Sequence, residues 1–339
     1  MNEHLPTKLQ ELNPKAAHIC LGIENFITSK LKTPLNSTNL LVALSGGVDS
    51  SALLVILKCL SQKNNCTIRA AHFNHQLRDE ADAEESHIRA LCASLNIELI
   101  TDKQDVGAYA TQHKMGIEEA ARALRYAFLE SSRHALNADW IVTGHHANDL
   151  AEDIVMRLIR GAGWPALGGM QGKCPNRKIV RPLLATPKNT LISFAKSIAL
   201  NWCEDTSNAD DSFFRNRVRS QIIPALCKEN PAFLNTAASL WELAQIDAEH
   251  WAEVTHQATE NIDNSCPTLL KEDLQAMSQA TRLRVYKTVL DSMGIGQPLQ
   301  QNLITLDSAW KANIGGKVVQ FPGKKLATIR KGSIYFSYR

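Results

Sequence analysis

Six consecutive residues, Ser45-Gly46-Gly47-Val48-Asp49-Ser50, bring two hydroxyls, two glycines and a carboxylate to the join between two apolar runs. The run before them has β character and the run after them has helical character, within Leu40–Leu57. A plain turn needs none of that chemistry. Glycines let backbone N–H groups approach an anion, and a following helix N-terminus adds its positive dipole end. Ser45, Ser50 and Ser51 supply hydroxyl donors, whereas Asp49 repels a phosphate and suits a magnesium ion or a cationic group. The stretch reads as a phosphate cradle. No G-x-x-x-x-G-K-[S/T] pattern occurs in the chain, so the loop lysine of the Walker cradle is missing.

Two further segments carry side chains able to do chemistry. "AHFNHQLR" contains His72, Asn74, His75 and Arg78, and "VTGHHANDLAEDIVMRLIRGAG" contains Gly144, His145, His146, Asn148, Asp149, Glu152 and Asp153. Asp149 and Glu152 stand at i, i+3 and share a helix face. Such a carboxylate pair can hold an ammonium ion. A histidine pair alone is more often structural than catalytic, but two such segments at the mouth of a nucleotide crevice reverse that order. Arg122 and Arg125 in "AARALRY" are also i, i+3, suited to a carboxylate, to developing negative charge, or to a plain ion pair. The basic helix start "FFRNRVR", with Arg215, Asn216, Arg217 and Arg219, suits RNA phosphates.

The elements that must position these residues alternate. An amphipathic helix over about Ala16–Leu31 and a polar linker precede a buried strand at Leu40–Leu44 and a helix at Ser50–Leu60. Strands are expected at Thr67–Phe73, Glu98–Thr101, 140–144 and 178–184, and helices at 79–96, 116–137, Ala147–Ile159 and 187–200. Strand–helix alternation with helix-length connections predicts an α/β fold, a parallel sheet covered on both faces. Ligands of such sheets bind beyond the carboxyl ends of the strands, where the phosphate cradle and both histidine segments fall. After Asn230 two long helical stretches (about Phe233–Asn261 and Lys271–Met293), a third near Gln300–Ala312 and short strands are expected. The division is then 1–38, an N-terminal helix and linker; 39–228, a catalytic domain; and 229–339, a smaller, largely helical domain.

Composition narrows the class. The chain has 339 residues, long enough for two domains, and its 44% hydrophobic and 21% charged residues are those of an ordinary globular protein. No apolar span approaches the roughly 20 residues of a membrane helix, and the start has no apolar signal core, so a cytoplasmic protein without membrane contact is expected. Eight cysteines occur without a C-x-x-C pair, which argues against a zinc ribbon, an iron–sulfur site or a redox dithiol. The net charge of +3 is uneven: Met156–Asn230 and Lys311–Arg339 each carry +7, leaving the remainder at −11. Two basic regions on an otherwise acidic chain suggest a polyanionic partner.

Ser-Gly-Gly-x-Asp-Ser after a first strand resembles the loop of the N-type ATP pyrophosphatase (PP-loop) superfamily, whose members cleave ATP between the α and β phosphates. Together with "AHFNHQLR", "AARALRY", the His145-His146 segment, "RPLL" and "EDTSNADDSFFRNRVRSQIIPAL", the chain resembles the tRNA(Ile)-lysidine synthase family over Leu40–Leu226, and more weakly beyond. The resemblance implies a Rossmann-like, adenine nucleotide α hydrolase-like domain and a smaller tRNA-facing domain. It implies ATP-dependent ligation of L-lysine to C2 of cytidine 34 in the CAU anticodon of tRNA(Ile), with AMP and pyrophosphate released. It places Ser45, Gly46, Gly47, Val48, Asp49, Ser50, His72, Asn74, Gly144 and His145 on ATP, with Asp49 also near Mg2+. It gives Asp49, Asp149, Glu152, Arg122 and Arg125 catalytic roles, the two helix acids recognising lysine, and puts Arg215, Asn216, Arg217 and Arg219 near the target cytidine. A homodimer is compatible with it.

The sequence departs from the family's His-His-x-Asp-Asp-Gln-x-Glu-Thr at Asn148, Leu150 and Asp153, which puts a metal or ATP contact in question there. Because C2 carries its oxygen on the Watson–Crick edge, the base must be unpaired and splayed into a pocket, with Trp164 a candidate for stacking. Tyr335, Phe336 and Tyr338 within the basic C-terminal segment suit tRNA stems or a small amphipathic sheet. The competing readings are a PP-loop enzyme that 2-thiolates tRNA and a non-catalytic nucleotide- or RNA-binding protein on the same fold.

Overall fold

The computed structural model describes residues 4–76, 81–203, 213–263 and 265–339. Arg78 and residues 204–212 of the "EDTSNADDSFF" segment lie outside the described residues. The chain divides into two compact units, the described residues of Met1–Ala162 with Gly168–Trp241, and Gly163–Leu167 with Glu242–Arg339.

The first unit is built on β1 (Asn39–Ala43), β2 (Thr67–Asn74), β3 (Leu99–Lys103), β4 (Trp140–Val142), β5 (Lys173–Cys174) and β6 (Ile179–Val180). They form one sheet in the order β3-β2-β1-β4-β6-β5, parallel throughout except for β5, which runs antiparallel to β6 at the edge. β1 is central because both its faces are apolar. Leu40 and Val42 enter one buried cluster and Leu41 enters the other. The cluster around Leu40 and Val42 is filled by α2 (Val48–Asn64), whose Leu53, Leu54 and Ile56 have no solvent exposure. A helix apolar on every side must be covered on every side. α1 (Pro14–Asn25) supplies Ala16, Cys20 and Ile23, and α7 (Lys188–Ser197) supplies Leu191 and Phe194. The opposite face of the sheet is covered by α4 (Val106–His113) and α5 (Ile117–Ala135), through Val106, Ala110, Leu124 and Phe128. α3 (Ala81–Ser94) and α6 (Ala147–Ile159) complete the alternation, followed by α8 (Phe214–Arg217) and α9 (Ile223–Glu229).

Four local features differ from expectation. α4 was not anticipated: Asp105 caps it by accepting from the Ala108 N–H at 2.9 Å, but only Val106 and Ala110 of its eight residues are buried, too few to show a period. β5 was also unseen, being two residues long. The strand expected over 178–184 pairs only at Ile179–Val180, because Pro182 has no N–H to donate and the chain turns at Arg181–Leu184. Further on, the single helix expected over Lys271–Met293 is two.

α10 (Phe233–Thr259) crosses the division of the units. Beyond it the second unit holds β7 (Thr268–Leu269), α11 (Lys271–Ala276), α12 (Gln279–Ser292), α13 (Gln300–Lys311), β8 (Val318–Phe321), β9 (Lys325–Arg330) and β10 (Ser333–Tyr338). Ser278 separates α11 from α12 by capping the latter, its Oγ accepting from the Thr281 N–H. The strands form an antiparallel sheet, β7-β10-β9-β8. Strand alternation turns Ile334 and Phe336 inward and Tyr335 outward. Phe336 is therefore core and unable to meet RNA, a correction to its reading as an RNA-facing aromatic. Lys325, counted in the basic C-terminal segment, is fully buried and donates to the carbonyls of Leu290, Gly294 and Gly296 at 2.6, 2.8 and 2.9 Å. Trp164 donates its indole N–H to Asp247. No helix among the described residues is long and apolar enough to cross a membrane.

Asp307 is the electrostatic centre of this second core. It has no exposure and accepts from Arg282 Nε at 2.6 Å and from Gln279 Nε2 at 3.0 Å. Asp307→Ala leaves the buried Arg282 guanidinium without its carboxylate, and a loss of about 3–5 kcal/mol is expected in chemical denaturation. A loss below about 1 kcal/mol would show that water or another side chain satisfies Arg282.

Candidate active site

β1 has β2 on one side and β4 on the other, so the chain leaves these adjacent strands in divergent directions. A crevice opens at such a switch point beyond the carboxyl ends of the strands. The β1 end carries the phosphate cradle and the β4 end carries Gly144–Asp149.

The cradle is held open by its own hydroxyls. Ser50 Oγ accepts from the Ser45 N–H at 3.1 Å, lies 3.1 Å from Ser45 Oγ, and donates to the Gly47 carbonyl at 3.2 Å. Gly46 sits at φ +84°, a conformation that favours glycine. α2 begins at Val48, so its first backbone N–H groups lie at the loop. From the other strand, Gly144 packs directly on that turn. A Cβ at Gly144 would stand 3.2 Å from the Ser50 nitrogen and 3.3 Å from the Asp49 carbonyl carbon. A side chain there would require the facing turn to give by a few tenths of an ångström.

His146 joins the loops electrostatically. Its backbone N–H donates to Asp149 Oδ2 at 3.1 Å, and its Nδ1 accepts from the Asp149 N–H at 3.3 Å. An accepting Nδ1 leaves the ring proton on Nε2, which faces Asp49 Oδ2 at 3.5 Å. Lys188 Nζ lies 3.8 Å from the same oxygen. The other oxygen, Asp49 Oδ1, is buried and has no hydrogen-bond partner among the described residues. Lys188 was not singled out in the sequence. It is held by Asn148, whose Oδ1 accepts the Lys188 backbone N–H at 3.0 Å.

That bond accounts for one departure from the family motif, since an amide oxygen accepts a backbone N–H as a carboxylate oxygen does. The other two departures face away from the crevice. Leu150 is fully buried in the apolar cluster with Ile154 and Trp241, and Asp153 accepts from Arg157 Nε at 2.8 Å.

The acid pair is buried and already charge-compensated. Asp149 is 8% and Glu152 2% exposed. Arg215 donates from Nη2 to Asp149 Oδ1 and from Nε to Glu152 Oε2, each at 3.0 Å. Arg219 donates from Nε to Glu152 Oε1 at 2.7 Å and from Nη2 to Asp149 Oδ1 at 3.3 Å. The residues expected near cytidine thus meet the residues expected to recognise lysine. Burial raises the Asp149 carboxyl, but Arg215 and the bond from the His146 backbone N–H outweigh it and hold the group below its ordinary range. Burial lowers Arg219, and its bonds to Glu152 more than restore it. Asn216 and Arg217 follow Arg215 on α8, Arg217 with its guanidinium 5.9 Å from the Phe214 ring centre.

The remaining expected residues divide. His72 Nδ1 donates to the Leu44 carbonyl at 2.9 Å, and burial lowers the ring's affinity for a proton, so a buried Nε2 lone pair is left without a partner among the described residues. Asn74 is spent locally: its Oδ1 accepts from the Gln76 N–H at 3.0 Å and its Nδ2 lies 3.2 Å from both Asp82 and Glu85. Arg122 and Arg125 flank Tyr126, with guanidiniums 4.9 and 5.4 Å from its ring centre, and neither pairs with Asp149 or Glu152. His145 Nδ1 lies 2.8 Å from Thr143 Oγ1. Burial, opposed by Asp149 and aided by Arg181, Arg125 and Arg215, pushes His145 down to about 3.

A parallel sheet whose first strand ends in a phosphate-type loop, with a carboxylate and a lysine at its mouth, defines a nucleotide-binding domain of the PP-loop class. Residues 22–226 match the family model described as the PP-loop domain. Within that class the chain belongs to the tRNA(Ile)-lysidine synthase family. It is 43% identical over 317 residues to the tRNA(Ile)-lysidine synthase of Nitratidesulfovibrio vulgaris, covering 87% of this chain and 91% of that protein. It is 30% identical over 301 residues to the tRNA(Ile)-lysidine synthase of Pseudothermotoga lettingae, covering 88% of this chain and 65% of that one. Among solved structures, the U34-tRNA thiolase of Methanococcus maripaludis with its [4Fe-4S] cluster shares the fold, with a TM-score of 0.56 at 18% identity over 70% of this chain and 80% of that one.

The depressed His145 has a sign that can be measured. Its folded-state affinity for a proton lies below the unfolded value near 6.5, so its contribution to stability is complete above about pH 6.5 and lost as pH falls toward 3. The stability gap between the wild type and His145→Gln should narrow by about 1 kcal/mol per pH unit between pH 6 and 5, read from urea unfolding at each pH. A gap independent of pH would contradict a neutral His145.

Proposed function

We propose that the chain ligates L-lysine through its ε-amine to C2 of cytidine 34 in the CAU anticodon of tRNA(Ile), using ATP. The observation that carries the reading is the convergence, at one switch point, of a phosphate loop with a buried acid pair and basic residues, in a chain of this family. The C2 oxygen attacks the α-phosphorus and pyrophosphate leaves. The lysine amine, once deprotonated, attacks C2, the C2–O bond breaks, and AMP carries the oxygen away. Adenylation is needed because a carbonyl oxygen is a poor leaving group. The product would read AUA in place of AUG.

Ser45–Ser50 and the first N–H groups of α2 take the triphosphate, with Gly144 and His145 beside it, and His72 Nε2 offers an acceptor to an amino group of the nucleotide. Magnesium fits Asp49, whose Oδ1 has no hydrogen-bond partner among the described residues, and one carboxylate together with the phosphates would suffice to hold it. No cluster of three His, Cys, Asp or Glu able to hold a metal occurs among the described residues. When bound, magnesium would neutralise charge on the leaving pyrophosphate. Asp149 and Glu152 hold the lysine ammonium. Replacing a guanidinium N–H by an ammonium N–H keeps the buried carboxylates compensated, so the exchange avoids an unpaired buried charge.

The thiolase alternative is less favoured. Thiolation of this kind uses paired cysteines to carry sulfur or a cluster, and the eight cysteines of the sequence include no C-x-x-C pair. The reaction is placed in the cytoplasm, where tRNA, ATP and lysine meet.

The test is incubation of the protein with ATP, magnesium and labelled lysine, plus isoleucine or methionine tRNA with the CAU anticodon. Label on the isoleucine tRNA alone, equimolar with AMP, is expected. Label on neither would remove the reading, and label on both would place discrimination outside this chain. Asp49→Asn should lower the rate by at least about a hundredfold without loss of fold.

A further inference from the structure

The phosphate loop has no cation of its own, and the fold brings one from another element. Ser45–Ser50 contains neither lysine nor arginine. Lys188, the first residue of α7, places its Nζ 3.8 Å from Asp49 Oδ2. At that distance the ammonium neighbours the carboxylate without bonding to it, since charge-assisted hydrogen bonds run at about 2.7–2.9 Å. Nζ makes no hydrogen bond among the described residues, and the side chain is 42% exposed. Its three N–H donors are open to an anion.

The backbone beneath this side chain is fixed. The Thr186 carbonyl accepts from the Ala147 N–H at 3.0 Å, and Asn148 Oδ1 accepts the Lys188 N–H at 3.0 Å, so two bonds tie the start of α7 to the start of α6. Leu191 and Phe194 then anchor α7 in the core that α2 fills. A rigid base thus carries an unbonded ammonium to the mouth of the loop. Asn148 matters here because the family motif has aspartate in its place. A carboxylate at that position would compete for the ammonium, whereas the amide holds the backbone N–H and leaves the charge available.

The chemistry of the loop has use for such a charge. Cleavage between the α and β phosphates places new negative charge on the pyrophosphate. The positive end of α2 offers about half an elementary charge, and Asp49 is itself negative. A full positive charge aimed at the leaving group stabilises that developing anion. An RNA phosphate is the other anion a lysine could meet. The ammonium lies against a residue of the loop itself, which favours the phosphates that the loop holds.

We propose that Lys188 is a further catalytic residue, its ammonium contacting the β and γ phosphates of ATP and staying with the pyrophosphate as it leaves, and that Asn148 positions it. The inference rests on the ATP-cleaving reading above. As the C2 oxygen bonds to the α-phosphorus, the bond from that phosphorus to the α,β-bridging oxygen breaks. The electron pair goes to the pyrophosphate, to which Lys188 donates hydrogen bonds without giving up a proton.

The experiment titrates magnesium pyrophosphate and AMP separately into the full chain by calorimetry, and follows attachment of labelled lysine to isoleucine CAU tRNA in parallel. Lys188→Met should weaken pyrophosphate binding by at least about tenfold and leave AMP, which lacks the β and γ phosphates, within about twofold. In turnover it should lower kcat by at least about tenfold. Lys188→Arg should keep most of the pyrophosphate affinity, and Asn148→Ala should lose less of it than Lys188→Met. Lys188→Gln carries the comparison should Lys188→Met fail to fold. Unchanged pyrophosphate affinity in the folded variants would overturn the inference, with or without a raised KM for tRNA, the mark of an RNA-phosphate contact. An equal loss for AMP would overturn it too, as the mark of a lysine that only shapes the crevice. A wild type that binds no pyrophosphate and releases no AMP in turnover would sink the ATP-cleaving reading itself, and the two failures are thereby told apart.

Discussion

The contact between Gly144 and the first turn of α2 is the constraint on which the site depends. Backbone meets backbone there, with only 3.2 Å between an imagined Cβ and the Ser50 nitrogen. The β1 and β4 loops are thereby fixed at one depth. Everything that follows Gly144 inherits that position: His146 reaches Asp49, Asp149 caps α6, and Glu152 falls one turn further along the same face. A methyl group at Gly144 would crowd that turn by a few tenths of an ångström, beside the 3.5 Å approach of His146 to Asp49.

Electrostatics then sorts the buried charges. Three carboxylates, Asp49, Asp149 and Glu152, lie in or beside the crevice, and each is met by a cation or a ring N–H. Removing one partner from a buried pair costs about 3–5 kcal/mol, so these carboxylates are held by more than one neighbour. The arginines around Tyr126 make no ion pair with a carboxylate among the described residues and gather on its ring instead. His145 stands between the two regions and is held neutral, which keeps it from adding to the positive side.

Local chemistry was legible in the sequence and long-range pairing was not. Ser45–Ser50 announced itself because glycine, serine and aspartate at a strand-to-helix join have few other uses, and the apolar run of α2 showed where the core lay. The i, i+3 spacing put Asp149 and Glu152 on one face, and Arg215 bridges them as that spacing requires. The identity of their partner was invisible, since 63 residues separate Arg215 from Glu152 and no local signal links them. Lys188 was passed over for the same reason: it opens a helix, and only the folded sheet brings it to Asp49. The break at Ser278 was readable in principle, as a serine capping a new helix, but the apolar period on either side masked it.

The loop after β1, in the function proposed above, commits ATP to cleavage between its α and β phosphates. The most direct measurement follows ATP labelled at the α or the γ phosphate during turnover with isoleucine CAU tRNA and lysine. The expected result is α-label in AMP and γ-label in pyrophosphate, in equal amounts. Release of ADP and inorganic phosphate would contradict it, whatever else the protein attached to the RNA.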